Sequence, residues 1–320
     1  MKKIALNINF DSLYFPLSIN RMENRDPTFF KVADRFLETA DAHNFKCSLF
    51  VIGRDLENPE VAARVKYWHD AGHEIGNHSW THHGNLGATK PEKQRDEIKR
   101  THEKITNTIG VEPRGYISPT WSMSPTSIQT LLDLKYVYDT SAFPSPIMLA
   151  AIAKLKFNSR TDQKFDANFL SRNDKKVLLY GTRKPYLIRP ENMHRPNVSG
   201  LLMLPVPTVT PLRLPVWHTM SFMWPKKMHK AFITKAIQKG RGFYYLMHPA
   251  DIASYEEDFD PDIVKQHEDE LAVFERMDTP LREKLAMFEE VIAHMAGQAE
   301  FVTMRELADD IIQNRTYAKG

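Results

Sequence analysis

The chain has 320 residues, of which 42% are hydrophobic and 26% charged, and its net charge is +3. That length suits one large α/β domain or two medium ones, and the composition excludes the disordered and membrane-spanning classes. So small a net charge makes no electrostatic case for nucleic acid as a partner, and a single cysteine, Cys47, excludes an internal disulfide framework.

The first fifteen residues, "MKKIALNINFDSLYF", carry two lysines and then apolar residues, but Asn7, Asn9 and Asp11 interrupt the run and no small-residue cleavage site follows. Ile4 to Phe10 is therefore expected as a first strand that the mature protein keeps, in a cytoplasmic protein. No run of about 18 apolar residues occurs, so no transmembrane helix is expected, while surface contact with a membrane stays open. "DPTFFKVADRFLETADAHN" predicts a helix opening at Asp26-Pro27, and "KCSLFVIG" a strand with Cys47 as a packing residue. "NPEVAARVKYWHDAGH" predicts a helix capped by Asn58, and "EIGNHSW" a strand end running into a loop. Beyond these, "KPEKQRDEIKRTHEKITNTIG" and "SPTSIQTLLDLKY" predict helices, and "RGYISP" and "VYDTS" strands. Such alternation argues for a parallel sheet or barrel whose working residues lie where strands meet the following loops.

From about Phe143 to Leu214 the pattern degrades. "KFNSRTDQKFDANFLSRNDKK" is polar and irregular, and the prolines of "LPVPTVTPLRLPVWHTM" rule out a helix there and leave extended or edge segments. Next come a helix, "PKKMHKAFITKAIQKG", and a strongly β-forming run, "FYYLMHP". The last 70 or so residues read as helices with one short strand, "EFVTM". The expected organisation is a barrel over residues 1–252 with an irregular insertion near 145–215, and a C-terminal helical extension, 253–320, packed on the same domain.

Residues 71 to 85, "AGHEIGNHSWTHHGN", hold four histidines, and His78 and His82 stand four apart. On a helical turn that spacing points two imidazoles at one metal ion. In a chain with 13 histidines chance offers the same spacing, so the context has to decide. His73 reads as a residue turning the chain after a helix, and His83 as facing solvent or substrate.

The context is specific. "HEIGNHSWTHH" resembles the His-Ser/Thr-x-x-x-His metal motif of the polysaccharide deacetylase family (carbohydrate esterase family four, NodB homology domain). "NINFDSL" stands where that family carries an Asp-bearing first motif. "GYISPTWSMSP", "YVYDTSAFP" and "FYYLMHPADI" resemble its later motifs in order, and "LLMLPVPTVTPLRLPV" resembles the Pro-rich segment of a sugar-deacetylase branch. The resemblance implies a distorted (β/α) barrel of about seven strands. It also implies a metal-dependent amidohydrolase that removes an N-acetyl or N-formyl group from an amino sugar.

The chemistry agrees with that resemblance. Hydrolysing an amide near neutral pH needs a better nucleophile than bulk water, and a divalent ion supplies one by lowering the pKa of a water to about 7 in favourable sites. Asp11, His78 and His82 are the candidate ligands, leaving coordination positions open. Zn2+ leads the candidate ions, with Co2+, Mn2+ and Ni2+ as the others. His248 is the candidate general acid, since imidazole titrates near working pH, and the family's final histidine has this role. The backbone N–H of Thr120 is the candidate oxyanion donor. The resemblance places Trp80, Pro119 and Trp121 at the substrate.

Two departures bear on activity. The family's first motif holds two acidic residues, one of them a base; here Asn9, Phe10, Asp11 and Ser12 offer one carboxylate. The arginine that pairs with the base is Ile117 here, and Arg114 lies three residues earlier. The losses fit each other, because a buried Arg without its carboxylate would be expensive to keep. The implied substrate is a cytoplasmic glycoconjugate intermediate, nucleotide- or lipid-linked, in cell-surface polysaccharide or lipopolysaccharide synthesis. The alternatives are a hydrolase of another linear or cyclic C–N bond, of allantoinase or imidase type, and a non-catalytic carbohydrate-binding relative.

Overall fold

The computed structural model describes residues 1–14, 26–147, 175–240, 242–267 and 275–319. Strand β1 (Lys3–Phe10) is buried along almost its whole length, as a parallel strand covered on both faces must be. Alternation divides its side chains: Ile4, Leu6, Ile8 and Phe10 join the core beneath the helices, while Ala5 faces the barrel interior in the same phase as Asn7 and Asn9. Helix α1 (Lys31–Ala42), β2 (Ser48–Val51), α2 (Pro59–Asp70), β3 (Glu74–Asn77), α3 (Pro91–Ile109), β4 (Gly115–Tyr116), α4 (Pro125–Asp133) and β5 (Tyr138–Asp139) follow in the predicted alternation. Asn58 caps α2 by accepting from the Glu60 N–H, and Cys47 is fully buried, both as expected.

Beyond Phe143 the structure holds more order than the sequence pattern promised. Strands β6 (Tyr186–Arg189), β7 (Asn192–Asn197) and β8 (Leu201–Met203) form an antiparallel set, and β8 also pairs in parallel with β5. The Pro-rich run holds only β9 (Thr208–Val209) and β10 (Leu214–Pro215), a short antiparallel pair, before the turn His218–Phe222. Residues 148–174, which include most of the polar stretch expected as an insertion, lie outside the described residues. After helix Lys226–Lys239 come β11 (Tyr244–Met247), helix Leu281–Ala296, β12 (Glu300–Val302) and helix Met304–Gln313.

The sheet runs β11-β1-β2-β3-β4-β5-β8 with every neighbouring pair parallel, then β6 and β7; β12 adds to the start of β1. This is the distorted barrel, with an opening between β8 and β11 that no strand ladder closes among the described residues. Tyr244 Oη reaches across to the Leu204 carbonyl at 3.4 Å. At the end where the strands begin, Met304, Leu307, Ala308 and Ile311 of the last helix close the interior core. No helix of the described residues is long and apolar enough to cross a membrane.

Candidate metal centre and active site

Asp11 stands one residue past β1, and His78 one residue past β3, so two strand ends bring them to the same mouth. The His78 N–H donates to Val51 O at 3.0 Å, continuing the β2–β3 ladder. His78 Nδ1 lies 2.8 Å from the Ile117 carbonyl, which can only accept. That bond places the proton on Nδ1 and turns the Nε2 lone pair toward Asp11 Oδ1, 3.0 Å away. His82 Nε2 lies 3.3 Å from the same oxygen. Burial alone would raise the Asp11 carboxyl, but the charge of His82 and hydrogen bonds from both imidazoles hold it well below the usual range. In the neutral tautomer that Ile117 selects, two acceptors face each other across 3 Å, and only a proton or a cation between them relieves the repulsion. The ligand atoms of Asp11, His78 and His82 lie within 4.8 Å of one another, so this donor set fits a divalent ion.

The two histidines do not share a helical turn, contrary to the expectation from their spacing. Ser79 and His82 have φ of 62° and 56°, in the left-handed region, and the chain bends rather than coils. Glu97 of α3 holds that bend, accepting from the N–H groups of Trp80 (3.0 Å) and Thr81 (2.8 Å) and from Thr81 Oγ1 (2.6 Å). The rings of His78 and His82 meet edge-on, with centroids 5.0 Å apart.

His248 stands one residue past β11, the other neighbour of β1, and its Nε2 lies 3.9 Å from Asp11 Oδ2. Burial lowers its pKa, opposed by Asp11 and Asp251. Continuing the β1–β11 register past Ile8↔Met247 puts Asn9 beside His248 on the inward face. Asn9 is buried, and its Oδ1 has no hydrogen-bond partner among the described residues. Ile117 packs inside the barrel, while Arg114 pairs outside with Glu112 at 2.8 Å. Ser12 turns away from the centre to donate to Asp26.

The 118–121 loop lies against the histidine loop, where Thr120 Oγ1 donates to the Gly84 carbonyl. Thr120 and Trp121 both have positive φ, 50° and 56°, and Pro119 is buried at the start of the turn. Asp139 anchors this loop: its Oδ1 accepts from Ser141 N–H and Oγ, and Ser141 Oγ accepts the Ser118 N–H at 2.7 Å. Burial pushes the Asp139 carboxyl up to about 7.

Trp121 packs with Phe143 and Trp217 at centroid distances of 4.9 and 5.0 Å, and Trp217 meets His248 edge-on at 6.0 Å. These rings form an aromatic wall beside the histidine. Trp80 is placed elsewhere: it is buried, Arg100 lies 4.1 Å above its ring, and it packs beside Gly53. That is a packing position, which leaves Trp121 rather than Trp80 beside the centre. His73 is buried and accepts the Cys47 N–H at 3.1 Å, and His83 Nδ1 accepts the Asn85 N–H at 3.3 Å. Reading the sequence missed Trp217, Glu97 and Asp251. Only Asp251 left a signal, a carboxylate three residues after His248.

Residues 3–138 match the polysaccharide deacetylase family. This family is one of hydrolases acting on C–N bonds other than peptide bonds, so the resemblance read from the motifs is borne out. The chain is similar to the peptidoglycan deacetylase of Helicobacter pylori, 21% identical over 89% of this chain and 85% of the relative. A Bacillus cereus peptidoglycan-N-acetylglucosamine deacetylase is 30% identical over 27% of this chain and 30% of its own length. Among solved structures, a Mycobacterium smegmatis protein assigned as a polysaccharide deacetylase superposes with a TM-score of 0.59 at 16% identity, covering 99% of this chain and 92% of that one. That likeness shows the shared fold.

Proposed function

We propose that this polysaccharide deacetylase relative removes an N-acyl group, acetyl or formyl, from an amino sugar in a glycoconjugate, using a divalent ion held by Asp11, His78 and His82. The observation that carries the reading is the convergence of two imidazole Nε2 atoms on one Asp11 oxygen, with His248 facing the other. When bound, such an ion, Zn2+ first among the candidates, supplies Lewis acidity and a lowered pKa for water. The names of the two relatives, a peptidoglycan deacetylase and a peptidoglycan-N-acetylglucosamine deacetylase, support an amino-sugar substrate.

The residues divide the remaining work. His248 presents Nε2 toward Asp11 and is placed to hand a proton to the departing amine. The 118–121 loop is placed to aim the Thr120 N–H at the developing oxyanion. Trp121 and Trp217 offer an apolar face on which a sugar ring can lie. We place the reaction in the cytoplasm, on a nucleotide- or lipid-linked intermediate.

A second reading, a carbohydrate-binding relative without turnover, draws its support from Asn9 and Ile117, since Asp11 is the only first-motif carboxylate at the centre. Metal analysis together with acetate and formate release from N-acylated amino sugars and chito-oligosaccharides separates the two. Deacylation with one ion per chain is the expected result. Sugar binding without release favours the second reading, and absence of ion sinks the first. If the missing base limits the rate, Asn9→Asp combined with Ile117→Arg raises turnover more than either change alone; a fall in rate means that another group already acts as base.

A further inference from the structure

The segment after the last motif supplies two cations to the turn that carries His248. Arg276 Nε lies 3.2 Å from Asp251 Oδ1, an oxygen that also accepts from Thr219 Oγ1 at 3.0 Å. The other Asp251 oxygen accepts the His248 N–H at 2.8 Å and lies 3.9 Å from His248 Nδ1. The imidazole thus stands between two carboxylates, Asp251 facing Nδ1 and Asp11 facing Nε2 at the same 3.9 Å, and Asp251 is the one on the side away from the metal ligands. Lys284, in helix Leu281–Ala296, is 0% exposed. Its Nζ donates to the carbonyls of Ala250 (3.0 Å) and Ala253, which flank Asp251, and it makes no ion pair among the described residues. Met277 Sδ at 3.8 Å and the Phe222 ring at 5.7 Å are its other neighbours. A buried ammonium held only by carbonyls carries a desolvation cost that an apolar side chain of similar size would avoid. What it does here is close the 249–253 turn.

We infer that Arg276 and Lys284 are positioning residues for His248. Arg276 fixes the Asp251 carboxylate behind the imidazole, and Lys284 fixes the turn that carries that carboxylate. The inference rests on the proposed deacetylase reading for its kinetic consequence, but not for its structural one. Neither residue touches the metal ligands or the aromatic wall, so their loss should act on turnover alone.

The test uses the full chain loaded with zinc and an N-acetylated chito-oligosaccharide. Arg276→Gln and Lys284→Met should each lower kcat by about 10–100-fold while KM stays within about twofold and one ion per chain is retained. Free guanidinium should recover part of the loss in Arg276→Ala. An unchanged kcat, or a loss confined to KM or to the ion, overturns the inference. The second readout needs no turnover: with zinc engaging Asp11, long-range proton–nitrogen spectra of the zinc-loaded protein should show wild-type His248 with a proton on Nδ1 facing Asp251, and a mixture of tautomers in Arg276→Gln. The same tautomer in both also overturns it. Should Arg276→Gln fail to fold, Arg276→Lys, which keeps the charge and loses the planar fork, carries both measurements. If wild type releases no acyl group from the probe while the tautomer still answers to Arg276, the deacetylase reading fails and the positioning role stands.

Discussion

A carboxylate sits at each end of this barrel, and the two are used differently. Glu74, where β3 begins, has both oxygens met by fixed donors: Ser48 Oγ at 2.6 Å and the Arg305 N–H at 2.9 Å on one, Tyr138 Oη at 2.6 Å on the other. Asp11, one residue past β1, faces only imidazoles, His78 and His82 on one oxygen and His248 toward the other. Burial raises the Glu74 carboxyl despite its hydrogen bonds, whereas the imidazoles keep Asp11 low. A carboxylate saturated by hydroxyls and a backbone amide has little left to bind, and Glu74 ties β2, β3, β5 and the last helix together. One surrounded by groups that can either carry a proton or ligate a cation keeps its capacity for chemistry.

The largest effect should come from Asp11→Ala. With the shared oxygen gone, the ion should be lost and the acyl-release rate should fall on the order of 10³-fold or more, with little change in melting temperature. A full equivalent of ion in the purified variant would break the contrast. His248→Ala should cost roughly 10²–10⁴ in rate while metal content stays at the wild-type value, since this histidine lies outside the ligand set. Loss of ion in that variant would make His248 a ligand instead.

Glu74→Ala should do the opposite of Asp11→Ala. It strands the Ser48 and Tyr138 hydroxyls and the Arg305 N–H, for a destabilisation of about 2–4 kcal/mol in denaturant unfolding, with metal content unaltered. Another consequence concerns acid. Burial lowers His218 and His229, which share the Tyr245 hydroxyl at 3.1 and 2.8 Å, from 6.5 to about 4. The unfolded chain binds their protons first, so this contribution is whole above pH 6.5 and is lost progressively as pH falls toward 4. The loss is on the order of 2 kcal/mol per histidine by pH 5, roughly 4 kcal/mol for the two. Melting temperatures across pH 8 to 4 check it, and a flat profile below 6.5 would mean that the pair charges inside the fold.

Legibility followed the kind of signal each region carries. In the first half, strands and helices alternate with full apolar periods and capping residues such as Asn58, and local pattern was enough to place β1 through β5. Strand β8 was missed because "LLM" is three residues long and is stabilised by β5 on one side and β6 on the other, partners distant in sequence. At the site, Asp11, His78 and His248 each follow a readable strand, and these three with His82 could be nominated because the motifs around them resemble those of a known family. Trp217 could not, since its place beside His248 follows from the path of a Pro-rich segment with no period. Trp80 lies inside the motif, yet packs under Arg100 because Glu97 fixes the bend around it.

The sequence alone determined which side chains end the strands, and with them the ligand types and the absence of a second carboxylate beside Asp11. Those follow from composition and from the period of two, which are properties of neighbours along the chain. Only the tertiary structure decided how His78 and His82 meet. Their approach depends on left-handed backbone at Ser79 and His82, on Glu97 from a later helix, and on the Ile117 carbonyl from another strand. It also decided that residues far past the last motif reach back to the His248 turn. A buried cation such as Lys284 reads in sequence as one more surface lysine, and its carbonyl partners come from a turn some thirty residues earlier that only folding brings near.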